Sequence, residues 1–190
     1  MKKLILLVSI LVSQLTFSQS NFSKGDQFVS VSYGLGTIGV NWTDLYSSYS
    51  NYSSTTLGPI GVYYEKAITD KIGIGKIGIG GSINYLRNST KYEFASISNS
   101  VSISQMALAV RGTYHFDIKN DKFDPYSGVG LMFSHFSYKS SLTNQNFSFG
   151  SPVGTQFFVG SRYYFTNNLA AFAELGYGLS YLKLGGTFKF

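Results

Sequence analysis

Apolar and polar residues alternate with a period of two along most of this chain, the pattern of β-strands whose successive side chains point to opposite faces. Val29, Val31, Tyr33 and Leu35 alternate with Ser30, Ser32, Gly34 and Gly36. Met106, Leu108, Val110, Tyr114 and Phe116 alternate with Ala107, Ala109, Arg111, Thr113 and His115. The same rhythm predicts eight strands, at about 26–36, 57–68, 72–86, 101–116, 125–138, 153–165, 169–180 and 182–190. In the third strand the phase slips between Ile74 and Ile77, which predicts a bulge near Gly75–Lys76. The predicted connections alternate in length. Short ones lie at 69–71, 117–124, 166–168 and near 180–181, and long ones at 37–56, 87–100 and 139–152.

Which face of these strands is buried depends on composition. Of the 190 residues, 44% are hydrophobic, 17% aromatic and only 13% charged, about half the soluble average of roughly 25% charged. This much apolar material excludes disorder. Beyond the N-terminal segment no apolar run reaches the length of a membrane-spanning helix, whereas most strands have the 9–11 residues or so that a tilted strand needs to cross a bilayer. A soluble barrel would turn its apolar set inward. Here the alternate set is Gly, Ser, Ala and Thr with a few charges, which suits the narrow interior of an eight-stranded barrel. Tyr33, Tyr64, Tyr85, Phe116, Tyr163, Phe165 and Tyr177 lie towards strand ends, as interfacial aromatic girdles do. The predicted fold is therefore all-β: an eight-stranded antiparallel up-and-down transmembrane β-barrel, apolar side outward, with short periplasmic turns and longer outer loops.

The two ends of the chain add to this expectation. Lys2 and Lys3 precede an apolar stretch, Leu4 to Val12, broken only by Ser9, and small residues Thr16 and Ser18 follow. Residues 1–18 read as a signal peptide and 19–190 as the barrel domain. No Cys follows to carry a lipid anchor. At the other end Leu184, Phe188 and Phe190 share one face. Together these features resemble outer-membrane β-barrel proteins of the small OmpA/OmpX type. The resemblance implies residence in the bacterial outer membrane. It also makes Phe188 and Phe190 similar to the aromatic signal read by the barrel-assembly machinery. It specifies architecture more than activity, because this fold hosts several functions.

Candidate chemistry is sparse. With no Cys, two His and nine acids, thiol catalysis is excluded and neither a metal nor a cofactor is expected. Glu65, Arg111, Arg162 and Glu174 fall on interior positions, where an unpaired charge is costly, so they are expected to form a paired network. A three-residue turn at 166–168 sets Gly160 opposite Glu174 and makes Arg162 its diagonal neighbour. Such a network plugs the lumen, and a filled eight-stranded barrel leaves no aqueous channel, so a general porin is not expected. His135 and Ser137 fall on the outward phase near the outer interface. This H-x-S pair looks like the His and Ser of outer-membrane lipid A deacylases, acting as base and nucleophile. However, no Asp or Glu occurs between Asp124 and Glu174 to orient the His. A lipid-modifying enzyme is therefore the alternative, and a non-enzymatic structural or surface-interaction protein is the primary expectation. Trp42, Tyr46, Tyr49 and Tyr52 stand in a Ser-rich loop, a composition that makes adaptable contact surfaces. Arg87, Lys91, Lys139 and Lys183 face only Asp44 and Glu93 at the outer rim, which points to anionic outer-membrane lipids as partners. The net charge of +6 is not gathered into a stripe with a reading element, so nucleic acid is not an expected partner. No surface ligand is specified.

Overall fold

The structure is a computed structural model that describes residues 22–37, 50–94, 97–118, 120–141, 143, 145–150 and 153–190. Nine strands lie among these residues: β1 (Gln27–Thr37), β2 (Ser50–Ala67), β3 (Gly75–Phe94), β4 (Ile97–Phe116), β5 (Phe123–Ser140), β6 (Gln145–Gly150), β7 (Gly154–Tyr164), β8 (Leu169–Tyr177) and β9 (Ser180–Lys189). Every pairing between them is antiparallel. β1 pairs with both β2 and β9, and β4 pairs with β5, so the sheet closes on itself. β6 and β7 occupy successive heights on the same partner: β6 pairs with the upper part of β5 and β7 with the lower part. They form one stave of the barrel, and the closed cylinder therefore has eight.

The alternation is inverted relative to a soluble barrel. Val31, Val62, Ile83, Val110, Leu131 and Val159 all point outward and are exposed, whereas Ser30, Ser82, Thr113, Gln156 and Thr187 are buried in the lumen. Glycines on the inward phase make room for large lumen side chains. A Cβ at Gly128 would come within 2.3 Å of the Phe158 ring, and one at Gly78 within 2.6 Å of both Glu65 Oε1 and Thr113 Oγ1.

Two irregularities change the phase of a strand. Leu57 pairs with Arg87 and Ile60 with Tyr85, so β2 advances three residues while β3 advances two. The extra residue falls at Gly58–Pro59, where Gly58 has φ +91°, a conformation that favours glycine. In the sixth stave Gly150 pairs with His135 and Gly154 with Met132, four residues against three. The bulge expected near Gly75–Lys76 is absent, because the β3–β4 ladder runs without a shift from Gly75 to Phe94. Ile74 belongs instead to the turn before β3, closed by the Ile72–Gly75 bridge, so it need not keep the strand's phase.

The long outer loops also differ from expectation. Residues 87–94 and 97–100 form the upper parts of β3 and β4 and are paired through to Phe94 and Ile97. Part of 139–152 is β6, and 50–56 belong to β2. β8 and β9, by contrast, meet at a turn at 178–179. The barrel thus rises on one side into a tall sheet of β2 to β6. Alternation fails to reveal these extensions because its sense reverses at one height. On β4 the outward residues pass from Val110, Leu108 and Met106 to Ser104, Ser102, Ser100 and Ser98. On β5 they pass from Leu131 and Phe133 to His135, Ser137 and Lys139, and on β3 from Ile83 and Tyr85 to Arg87, Ser89 and Lys91. Met106 pairs with both Tyr85 and His135, so the reversal is level across three strands. This is the height at which a lipid environment gives way to water.

Candidate functional site

The interior charges fall into two clusters. In the lower one Glu65 on β2 accepts hydrogen bonds from Arg162 on β7 and from Thr113 on β4. His115 bridges two carboxylates, with Nε2 3.1 Å from Glu65 Oε1 and Nδ1 2.8 Å from Asp124 Oδ1. A ring protonated at both nitrogens donates to both acids. Arg162 Nη1 lies 3.7 Å from Asp124 Oδ2, and its guanidinium stands over the Phe28 ring, 4.6 Å from the centroid. In the upper cluster Arg111 and Lys183 both bind Glu174, Lys183 Nζ at 2.7 Å from Oε1. Arg111 sits 3.8 Å from the Phe158 centroid. Three acids thus meet three bases and one histidine, all buried.

Both clusters border a cavity of about 30 Å³ lined by Ser30, Tyr63, Tyr126 and Phe172 as well, room for only one or two waters. Below the network Phe22 closes the lower mouth. Its ring stacks on His115 with centroids 3.7 Å apart, and Lys76 Nζ donates to its carbonyl at 2.6 Å.

All four expected interior residues, Glu65, Arg111, Arg162 and Glu174, are inside. The expected register is also present, with Gly160 opposite Glu174. The pairing differs from expectation. Arg162 reaches across the lumen to Glu65, and Glu174 is taken by Arg111 from the opposite wall. In a narrow lumen the distance across is within reach of an arginine, so neighbours along the sheet do not dictate partners. Three further members were not expected. His115 shares the parity of Arg111 and Thr113, so alternation alone could have found it. Lys183 was expected at the outer rim, but it pairs directly with Glu174 across β8–β9 and is buried. Asp124 was expected in a connection, but β5 begins at Phe123 and turns Asp124 inward.

The profile of the outer membrane protein β-barrel domain family matches residues 4–188. The chain belongs to this family. It is an integral outer-membrane protein. Among solved structures, it is similar to the attachment invasion locus protein Ail of Yersinia pestis at 14% identity, over 88% of this chain and 99% of that one, with a TM-score of 0.50. Ail in complex with the heparin analogue sucrose octasulfate matches at 15% identity over the same shares, with a TM-score of 0.49. The N-terminal β-barrel domain of Pseudomonas aeruginosa OprF matches at 15% identity over 88% and 98% of the two chains, with a TM-score of 0.46. At such identities the likeness is one of fold. No curated protein matches the chain.

In this outer-membrane barrel His135 is exposed on the outward face, and Ser137 is half-buried two residues above it on the same strand. Glu174, the first acid after Asp124, is engaged in the lumen by Arg111 and Lys183. No described acid is placed to orient His135. Of the expected surface-contact residues, Trp42, Tyr46 and Tyr49, together with Asp44, lie outside the described residues, and Tyr52 is half-buried on β2. An aromatic group that alternation did not single out stands at the top of the tall sheet. Phe136 stacks on Phe149 with centroids 5.2 Å apart, and Tyr138 on Phe147 at 4.7 Å. All four share the inward phase of β5 and β6, above the lumen, where Phe147 and Phe149 remain 51% and 52% exposed. Arg87, Lys91 and Lys139 lie on the opposite, outward face of the same sheet. Phe188 and Phe190 are exposed on the outward phase of the barrel's lower end.

Proposed function

We propose that this protein is a non-enzymatic outer-membrane barrel that holds a rigid contact sheet above the membrane. The observation that carries this reading is the tall sheet itself. β2 to β6 continue well above the β8–β9 turn and present the four-ring patch of Phe136, Tyr138, Phe147 and Phe149. β6 bonds to β5 alone among the described strands, and a strand with one open edge is a template for pairing with an extended segment of another chain. The ion-paired lumen below serves as a stiff base for that platform. During biogenesis the outward strip of Leu184, Phe188 and Phe190 serves as the surface read by the assembly machinery.

Surface cross-linking on intact cells tests the reading. Cells carrying the wild type are expected to yield a cross-linked surface partner that is lost with Phe147→Ser/Phe149→Ser while the barrel remains folded. The same adducts from both proteins would overturn it. The enzymatic alternative predicts hydrolysis of outer-membrane lipid that is abolished in His135→Ala.

A further inference from the structure

The outer wall carries a feature that neither the lumen nor the contact sheet uses. Where the sixth stave takes its extra residue, between the His135–Gly150 and Met132–Gly154 pairs, an apolar slot of about 330 Å³ opens on the outward face. Leu108, Val110, Leu131, Met132, Phe133 and Val153 line it. Directly above it the same two strands change character. β4 continues from Met106 to Ser104 and Ser102, and β5 from His135 to Ser137 and Lys139. Arg87 on β3 pairs with Ser104 in the ladder, and its Nε donates to Ser102 Oγ at 3.1 Å. Arg87 and Lys139 therefore flank Ser102 from either side, with His135 beneath at the level where lipid ends.

No ion pair among the described residues engages Arg87, Lys139 or His135. The described acid on this face is Glu93, six residues above Arg87 on β3, and it accepts from Asn51 Nδ2 at 2.6 Å. The column is thus apolar below, hydroxyl-lined and cationic above, and continuous with the lipid-facing wall. We infer that it is a binding site for one phosphorylated glycolipid of the outer leaflet. An acyl chain fills the slot, and a phosphate lies between Arg87 and Lys139 and accepts from the Ser102 and Ser137 hydroxyls. The slot selects for an acyl chain because only hydrocarbon reaches it. The cap selects for an anion because Arg87 and Lys139 are cations engaged in no ion pair among the described residues. This inference is independent of what the contact sheet binds.

The full chain in phosphatidylcholine nanodiscs doped with lipid A tests the site, with native mass spectrometry counting the lipid A retained after release. The wild type is expected to retain one lipid A. Arg87→Gln/Lys139→Gln should lower retention about tenfold or more, given the attraction of each cation for anionic head groups. Chemically dephosphorylated lipid A should be retained no better by the wild type than lipid A is by the double variant. Leu131→Trp fills the slot without altering charge and should also reduce retention. Lys66→Ala removes a cation from the opposite end of the barrel and should change nothing. Heat-modifiable gel migration reports folding for every variant. Undiminished retention by the double variant, or undiminished retention of the dephosphorylated lipid, would overturn the phosphate site. An unaffected Leu131→Trp would overturn the slot.

Discussion

The lower barrel and the tall sheet above it are made from the same strands, yet they turn opposite kinds of residue outward. On β4 the outward set changes from Val110 and Leu108 to Ser102 and Ser100, while the inward set stays mixed, from Arg111, Ala109 and Ala107 to Gln105, Ile103, Val101 and Asn99. The backbone hydrogen bonding is unchanged across the transition. What changes is the medium outside. In hydrocarbon an outward apolar residue costs nothing and the lumen collects the polar groups. In water the outward face turns polar, and the rings of Phe136, Tyr138, Phe147 and Phe149 stand on the inward one. The solvent therefore determines whether the outward half of the alternation is apolar or polar, and the height of the change marks the membrane surface along Tyr85, Met106 and His135.

The largest expected effect is in the lumen. Glu174→Gln leaves Arg111 and Lys183 without their acid, and Glu65→Gln leaves Arg162 only its longer contact with Asp124, at 3.7 Å. Removing one partner of a buried pair costs about 3–5 kcal/mol, which urea unfolding in lipid vesicles would read. In the double mutant Glu65→Gln/Arg162→Met part of the loss should return. Strictly additive costs would mean that the two residues do not meet across the lumen.

Substitution by Arg along the outward face of β4 sharpens the boundary itself. Val110→Arg should cost about 2–4 kcal/mol near the bilayer midplane, whereas Ser102→Arg on the same face should cost almost nothing. Equal costs at the two positions would place both in the same medium. A smaller effect separates the two sides of the wall. Gly128→Ala forces a methyl into the Phe158 ring and should cost about 1–3 kcal/mol as overpacking. Gly112→Ala, with nothing within 4 Å of its added Cβ, should be neutral or slightly stabilising in the same unfolding assay.

The smallest effect lies in the lower turns. A hydrogen bond from Lys71 holds Asp117 below its usual carboxylate pKa. A depressed carboxylate stabilises the fold above its unfolded pKa, and that contribution is lost as pH falls through the folded value. The pair is largely solvated and contributes at most about 1 kcal/mol. Lys71→Ala should shift the Asp117 titration upward by nuclear magnetic resonance, with little change in unfolding.

How far the chain could be read without its structure follows from the same physics. Period-two alternation identified all eight staves, and the run of small residues on one phase showed which side faces the lumen. The extensions at 87–94, 97–100 and 145–150 are not legible in the sequence, because the outward residues that are apolar in lipid become polar in water and the change resembles a break. His115 was legible through its parity with Arg111. Lys183 stands near the outer end of its strand, a height that points to the rim, while its parity turns it inward to Glu174. The aromatic patch could not be anticipated, since Phe147 and Phe149 lie on a strand of six residues that acquires its phase only by pairing with β5.

The sequence by itself determined the eight staves, the inverted faces and the presence of charges in the lumen. Each of these follows from local periodicity and from the cost of placing a charge in hydrocarbon. Only the tertiary structure decided the partners: Arg162 with Glu65, Arg111 with Glu174, and His115 between two acids. Apart from His115 and Asp124, which are nine positions apart, these contacts join residues 50 to 97 positions apart in the chain. Closing the barrel brings opposite walls within the length of one arginine, and no local pattern along a strand records which side chain waits on the far wall.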